Sequence, residues 1–231
     1  MPEVTPLLGP DEAAKRIASV RQKIDKALSD CGRPQGEVAL LAVSKTFPAQ
    51  TVSAFGQAGQ KAFGESYIQE AREKIPLLPP GYDWHYIGHL QTNKAKYAAG
   101  LFDVIHSLDN LELAAELDKR LGRLERTMGA YVQVNVSGEG SKSGIEPSEL
   151  PGFLGALSRF PRLTPLGLMT MPPYDPDPEA SRPHFVRLRE LRDRHCPGLK
   201  GLSMGMSDDF QVAISEGSTI VRVGTALFGH R

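Results

Sequence analysis

Apolar and charged residues alternate with a helical period near the start of the chain. From Asp11 to Leu28 the apolar positions follow spacings of three and four residues, with charged residues in the intervals. These positions are Ala14, Ile17, Val20, Ile24, Ala27 and Leu28. Such a stripe predicts an amphipathic helix that packs along one face. Cys31 and Gly32 follow the stripe and predict the end of the helix.

Beyond this helix, short apolar runs alternate with segments of helical character. Eight runs have the length and composition of strands, and they cover residues 38–44, 61–64, 84–88, 104–107, 130–136, 165–170, 201–204 and 220–223. The segments between them, each long enough for a helix, include residues 48–57, 66–75, 92–99, 111–121, 148–158, 179–194 and 208–215. Continuous apolar runs suit strands that are buried on both faces, as the strands of parallel sheets are.

Eight strand and helix repeats predict a TIM (β/α)8-type barrel with an extra N-terminal helix, in a single domain spanning residues 1–231. Barrels of about 250 residues commonly form one domain. An open doubly wound sheet is the alternative, because runs 61–64, 104–107 and 201–204 are short for strands. No G-x-G-x-x-G motif follows the first run, which argues against a dinucleotide-binding sheet.

Charge and composition narrow the classes of partner. The 231 residues include 27 Lys plus Arg and 27 Asp plus Glu, so no overall positive field attracts nucleic acid or an anionic membrane. The first residues lack the pattern of a signal peptide, and no run reaches the roughly 18 apolar residues of a membrane span. Cys31 and Cys196 form no metal or redox motif. These features favour a cytoplasmic protein and a monomer.

A lysine stands directly behind the first predicted strand. In TIM barrels the functional side chains lie at the C-terminal ends of strands, and the run ending at Ser44 is followed by Lys45 and Thr46. Partial desolvation at such a position lowers the pKa of a lysine amine and makes it a nucleophile toward an aldehyde. The alternative is an ordinary solvent-facing lysine at the start of a loop, which is the commoner fate of lysine.

Glycine, serine and threonine are concentrated after the last two predicted strands. The stretches are LSMGMSDD and VRVGTALFG. Ser207 is predicted to be the N-cap of a helix that ends near Gly217, and Gly224 with Thr225 opens a short final helix. Backbone N–H groups at such turns bind phosphate, and TIM barrels often have a phosphate site after strands seven and eight. Ordinary caps and turns are the alternative interpretation.

Two further patterns concern charge in the predicted barrel. Arg222 lies between Val221 and Val223, whose side chains point the other way, so it can face the interior, where its charge needs a partner. One candidate is the ring nitrogen of a cofactor, which arginine would keep unprotonated, and the other is an ion pair with Glu65 or another carboxylate. The neighbours of His85 place it in a strand, so it forms no helical metal pair with the residue four positions later, and no metal site is predicted.

Ordered motifs between Leu40 and Gly229 resemble the pyridoxal phosphate homeostasis protein family. They are LLAVSKTFP, FGESYIQEA, WHYIGHLQTNK, HSLDN, VNVSGEGSKSGI, GLMTM, LSMGMSDDF and VRVGTALFG. The resemblance implies a barrel similar to the N-terminal domain of alanine racemase, with pyridoxal 5'-phosphate (PLP) joined to Lys45 as a Schiff base. It also implies that Arg222 faces the ring nitrogen and that Met169 borders the ring. The implied phosphate site comprises Ser203, Met204, Gly205, Ser207, Gly224 and Thr225.

Two more positions bear on the resemblance. Lys142, in SKSGI, matches a second lysine implicated in cofactor handling in such proteins. The family usually has asparagine in an FGENY motif, whereas this chain has Ser66 at that place. Serine is shorter and carries no amide, so an amide contact from this position to the cofactor is not available.

The resemblance implies a non-catalytic protein that stores, buffers or delivers PLP, with PLP-dependent apo-enzymes as candidate recipients. The first alternative is a small PLP-dependent racemase or decarboxylase in which Tyr67 or His89 supplies a second base. An alanine-racemase-like enzyme is expected to add a second domain, and only residues 224–231 follow the last run. The second alternative is a barrel enzyme acting on a phosphorylated metabolite, with an aldolase-type Schiff base on Lys45.

Overall fold

Eight parallel strands form a closed barrel in the computed structural model, which describes residues 8–139 and 143–229. Neighbouring strands follow chain order, and β8 pairs with β1 to complete the closure. The strands are β1 (Ala39–Val43), β2 (Ala62–Glu65), β3 (Asp83–Tyr86), β4 (Val104–Leu108), β5 (Met128–Gln133), β6 (Leu163–Met169), β7 (Gly201–Ser203) and β8 (Ile220–Val223). The predicted barrel is therefore confirmed, and the open doubly wound sheet is excluded.

A helix precedes the first strand, and a helix follows each of the eight strands; the connection after β5 includes residues 140–142, which are not described. Helix α6 comes later in that same connection. The helices of the described residues are α1 (Pro10–Asp30), α2 (Ala49–Gln57), α3 (Ile68–Lys74), α4 (Ala95–Leu101), α5 (Leu111–Arg123), α6 (Leu150–Leu157), α7 (Arg182–His195), α8 (Phe210–Ser215) and α9 (Thr225–Phe228). Single 3-10 turns follow α3 and precede α4, α6 and α7.

The long first helix packs outside the barrel against α2, α8 and α9. Its buried stripe begins at Ala13 instead of the predicted Ala14, which is exposed. The reason is geometric, because Ala13 lies four residues before Ile17 and so shares its face, whereas Ala14 is rotated toward solvent. Charged residues occupy the other face of α1, and no helix in the described part of the chain is long and apolar enough to cross a membrane.

Alternation along the strands separates the barrel interior from the layer beneath the helices. In β1, Leu40 and Ala42 belong to the large core between strands and helices, whereas Leu41 packs inside the barrel with Met169. Successive strand residues point to opposite faces. Two residues beyond the end of β1, the same alternation brings Lys45 to the interior side of the mouth, on the wall of the cavity there.

Strands β6 and β7 approach each other closely where two glycines pair. Gly167 is in register with Gly201, and a Cβ atom on Gly167 would lie 1.9 Å from the Gly201 carbonyl oxygen. The obstructing atom belongs to the backbone of the paired strand, so it cannot move aside as a flexible side chain would. Pairing at this point therefore requires glycine, and it positions the start of the strand that leads to Ser203.

We expect Gly167→Ala to lower the free energy of unfolding by at least about 2 kcal/mol, because overpacking displaces the paired backbone. Urea denaturation followed by circular dichroism measures the change. Gly155→Ala is the matched control, since Gly155 is an exposed residue of α6 with nothing within 4 Å of an added Cβ. That control should be neutral or stabilise the protein by roughly 0.5–1 kcal/mol through helix propensity. Equal stabilities of the two variants would contradict the steric argument.

Candidate functional site at the barrel mouth

A cavity of about 1210 Å³ opens at the C-terminal ends of the strands. Six of the predicted site residues lie on its wall, and they are Lys45, Met169, Ser207, Arg222, Gly224 and Thr225. Ser66 and the two candidate second bases, Tyr67 and His89, are on the wall as well. Lys142 lies outside the described residues. The closed barrel thus brings most of the predicted residues into one cavity.

Three predicted phosphate ligands are absent from that wall among the described residues. The Ser203 hydroxyl is buried and engaged by Arg222 Nη1 at 2.7 Å and His106 Nδ1 at 2.8 Å. Met204 packs in the core beneath the helices, and the Gly205 carbonyl accepts the Arg222 backbone N–H at 3.0 Å. A phosphate contact from these three residues stays a prediction, and for the Ser203 hydroxyl it would compete with two existing hydrogen bonds.

The loop between β7 and α8 differs from its predicted capping. Helix α8 begins at Phe210, with Asp209 at the N-cap position, so the prediction that Ser207 is the N-cap is wrong. The Asp209 carboxylate accepts the Met206 N–H at 2.7 Å and thereby turns the chain before the helix starts. Ser207 Oγ instead accepts the Gly224 N–H at 3.3 Å, which joins the two glycine-containing loops after β7 and β8.

A buried ion pair holds the backbone on the N-terminal side of Lys45. Ser44 Oγ donates to Glu65 Oε1 at 2.6 Å, and the Ser44 carbonyl accepts from Lys74 Nζ at 2.9 Å. Lys74 Nζ also lies 2.9 Å from Glu65 Oε1. Burial raises the pKa of the Glu65 carboxyl, and the adjacent Lys74 ammonium opposes that shift. The alternative of an ion pair between Arg222 and Glu65 is therefore wrong, because the cation paired with Glu65 is Lys74.

Backbone strain marks the C-terminal side of Lys45. Thr46 has φ of +70°, a left-handed conformation that is costly for a β-branched residue. Its N–H donates to Glu70 Oε1 at 2.6 Å, and Glu70 is in turn paired with Lys74. The same cluster thus holds both neighbours of Lys45, whose side chain is half-buried on the cavity wall.

Arg222 is almost fully enclosed and is satisfied by the ends of two neighbouring strands. Its Nη1 donates to the Ser203 carbonyl at 2.8 Å and to Ser203 Oγ at 2.7 Å, and its Nη2 donates to the Thr170 carbonyl at 3.0 Å. Burial lowers the pKa of the guanidinium to about 10, with Asp209 opposing the shift. The group therefore stays charged at neutral pH, and it reaches the cavity wall.

A chain of hydrogen bonds continues from Arg222 through the barrel interior. Ser203 Oγ contacts His106 Nδ1, His106 Nε2 lies 2.7 Å from His85 Nδ1, and His85 Nε2 lies 2.9 Å from Asp83 Oδ2. Asp83 is the first residue of β3 and is half-exposed at the opposite end of the barrel. The chain thus connects the mouth with the far rim.

The two ends of this chain favour donation in one direction, from Arg222 toward Asp83. Arginine only donates and an ionised carboxylate only accepts. An unbroken run of donation from Arg222 to Asp83 therefore has Ser203 Oγ accepting from Arg222 and donating to His106 Nδ1, with the His106 and His85 rings each donating from Nε2. Burial is the largest cause that lowers the pKa of His106 well below its usual value. The neutral form of His106 agrees with this assignment.

The buried ion pair and the histidine chain were not anticipated from the sequence. A signal was present, because Glu65, His85 and His106 are polar residues inside strands, and buried polar groups need partners. His85 lies in β3 as predicted, whereas His89 lies beyond that strand. Within residues 8–139 and 143–229, no group of three or more His, Cys, Asp or Glu side chains is arranged to hold a metal ion.

The chain is similar to known proteins over most of its length. Residues 16–231 match the family model described as alanine racemase, N-terminal domain. Pyridoxal phosphate homeostasis proteins from Aquifex aeolicus and Escherichia coli (strain K12) are 44% and 43% identical to this chain. The Aquifex alignment covers 95% of this chain and 98% of the relative, and the Escherichia alignment covers 96% and 97%.

Solved structures give the same connection. PipY from Synechococcus elongatus PCC7942, solved with PLP bound, has a TM-score of 0.81 and 37% identity, over 94% of this chain and all of PipY. Alanine racemase from Corynebacterium glutamicum has a TM-score of 0.70 over 97% of this chain and 62% of the racemase. Its identity of 15% makes that second likeness one of fold alone.

Removing one member of the buried ion pair should destabilise the protein. We expect Lys74→Met to lower the free energy of unfolding by about 3–5 kcal/mol, because it leaves the Glu65 carboxylate buried without a cation. The double variant Glu65→Gln with Lys74→Met should regain most of that loss, since a neutral amide can still accept from Ser44. Urea titrations of the single and double variants give the coupling. Additive losses would contradict the pairing.

The direction of the histidine chain can be measured without a cofactor. In ¹⁵N-labelled protein at pH 6, His106 should be neutral with its proton on Nε2, since its pKa is lowered and its Nδ1 accepts from Ser203. Long-range ¹H–¹⁵N correlation spectra distinguish the tautomers, and His85→Gln and His106→Gln variants assign the signals. An imidazolium at His106, or a proton on its Nδ1, would show that the chain runs differently.

Proposed function

Because this chain belongs to the pyridoxal phosphate homeostasis protein family, we propose that it binds PLP at the barrel mouth and holds it as a Schiff base on Lys45. The observation that carries the proposal is the setting of Lys45 on the cavity wall, with the backbone on both sides held by the cluster of Glu65, Glu70 and Lys74. PLP supplies an aldehyde that forms a reversible imine with an amine. A lysine with a fixed backbone and a side chain on the cavity wall suits an imine bond that must form and break.

The residues of the cavity fit the other parts of such a ligand. Ser207, Gly224 and Thr225 supply hydroxyl and backbone groups to one side of the wall, suited to a phosphate. Three of the five N–H groups of Arg222 are used in its contacts with Ser203 and Thr170, so within the described residues two remain to meet a ring nitrogen. Met169 offers an apolar surface beside the ring.

The proposed role is storage, buffering or delivery of PLP without a catalytic reaction. Arg222 supports this role, because a guanidinium cannot give its proton to a ring nitrogen at neutral pH, and an unprotonated pyridine is a weak electron sink. The proposal includes a single domain over residues 1–231, a cytoplasmic monomer, and PLP-dependent apo-enzymes as recipients. Ser203, Met204 and Gly205 would contribute to the phosphate site indirectly, by positioning Arg222 and the loop after β7.

Borohydride trapping tests the anchor. Purified protein incubated with PLP should absorb near the visible edge, borohydride should remove that band, and peptide mass spectrometry should find the reduced adduct on Lys45. Lys45→Ala should lose the band and the adduct. Lys96→Gln, a lysine on α4 that is not on the cavity wall, should keep both. A colourless protein that stays unmodified after borohydride would overturn the proposed function.

Catalysis is tested separately with the loaded protein. L-alanine incubated with it in deuterium oxide should neither racemise nor lose its Cα hydrogen faster than with free PLP, as followed by chiral chromatography and proton NMR. Exchange that depends on Tyr67 or His89 would instead favour the racemase or decarboxylase alternative.

A further inference from the structure

The cavity is more positive than its proposed cofactor requires. Its wall carries four cationic side chains, Lys45, Arg72, Lys94 and Arg222, and among the described residues Asp208 is the one carboxylate there. The whole chain has equal numbers of acidic and basic residues, so this excess is local. Lys45 and Arg222 belong to the proposed cofactor site. Arg72 and Lys94 have no role in it.

These two cations follow β2 and β3, on other strand ends than the proposed phosphate loops, which follow β7 and β8. Arg72 is in α3, which follows β2, and Lys94 ends the 3-10 turn that follows β3. In a closed barrel of eight strands in chain order, β3 and β7 are diametrically opposed. Strand β2 pairs with β1, which leads to Lys45. A molecule bound at Arg72 and Lys94 would therefore share the cavity with a ligand on Lys45 without using its phosphate site.

The side chain of Arg72 is oriented by its surroundings. Its guanidinium carbon lies 4.1 Å from the centre of the Tyr97 ring, and its Nη1 donates to Gln69 Oε1 at 3.3 Å. Within residues 8–139 and 143–229, neither Arg72 nor Lys94 forms an ion pair. Gln69 and Gln91 add amide groups to the same part of the wall. A planar guanidinium with donors still available and an ammonium group on the same cavity wall together suit the charge and the oxygen atoms of a carboxylate.

We propose that Arg72 and Lys94 bind the carboxylate of a free amino acid whose amine displaces Lys45 from bound PLP. This inference rests on the proposed function, since a cofactor held through an imine leaves only when water or another amine takes its carbon. The amino acid nitrogen forms a bond to the imine carbon, and the bond from that carbon to Lys45 Nζ breaks. For neutral imines, both N–H protons of the incoming unprotonated amine pass to Lys45 Nζ, which leaves as a free amine, and nothing is oxidised or reduced. The amino acid site makes release responsive to amino acid concentration.

Release kinetics with two matched amines test this site. Protein loaded with PLP is mixed with L-alanine or with L-alaninamide, which has the α-amine without the carboxylate, at equal concentrations of unprotonated amine. Samples quenched with borohydride at intervals give the fraction still attached to Lys45 by mass spectrometry. We expect alanine to accelerate the loss at least about fivefold more than alaninamide and to saturate, since contacts to a charged group are worth a fold-change of this order.

Variants assign the effect to the two cations. Arg72→Gln and Lys94→Gln should each raise the alanine concentration for half-maximal release about five- to tenfold, with release by alaninamide unchanged. Lys96→Gln is the matched control, because Lys96 also lies over the Tyr97 ring, at 4.7 Å, but is not on the cavity wall. It should release PLP as the unmodified protein does.

The outcomes separate this inference from the proposed function. Equal release by alanine and alaninamide, or a Lys96→Gln effect as large as that of Lys94→Gln, overturns the amino acid site and leaves the Lys45 adduct standing. Failure to find an adduct on Lys45 before any amine is added overturns the proposed function, and this inference with it.

Discussion

An arginine enclosed within the barrel is the constraint on which the site depends. A guanidinium removed from water is costly unless its N–H groups find acceptors, and Arg222 meets that requirement with the carbonyl oxygens of Ser203 and Thr170. These acceptors end β7 and follow β6, so the arginine ties three consecutive strands together at the mouth. The hydrogen bonds that satisfy this one buried charge therefore fix the relative positions of the ends of β6, β7 and β8 at the cavity.

The same requirement explains the polar path through the interior. The Ser203 hydroxyl that accepts from Arg222 is also hydrogen-bonded to His106, and the two imidazoles continue the path to Asp83, which is half-exposed. Hydrogen bonds aligned in one direction polarise each other in a low-dielectric interior. A cation lies at one end of this path and a carboxylate at the other. The path therefore gives hydrogen-bond partners to four buried polar side chains, which are Arg222, Ser203, His106 and His85.

Two lysines near the first strand show how burial divides structural from chemical roles. Lys74 is 5% exposed and is committed to Glu65, Glu70 and the Ser44 carbonyl. Lys45 is half-buried on the cavity wall. The network around Lys74 holds the strained turn at Thr46. The buried Lys74 therefore determines the position of the Lys45 backbone. Strain at this turn persists because the surrounding contacts over-determine it.

The sequence alone determined the eight strands, the flanking helices and the place of Lys45, because apolar periodicity and strand ends are properties of neighbouring residues. It also placed Arg222 on the opposite face of β8 from Val221 and Val223, since side chains alternate along a strand. Only the tertiary structure decided the partners. Glu65 bonds to a lysine nine residues away and His106 to a serine 97 residues away, and those pairs depend on barrel closure and side-chain reach.

The start of α8 differs from its prediction for the same reason. Asp209, whose carboxylate accepts a hydrogen bond from Ser181, occupies the N-cap position predicted for Ser207. The local sequence pattern specifies which face of a strand or helix a side chain occupies, whereas tertiary packing determines which residues it contacts there.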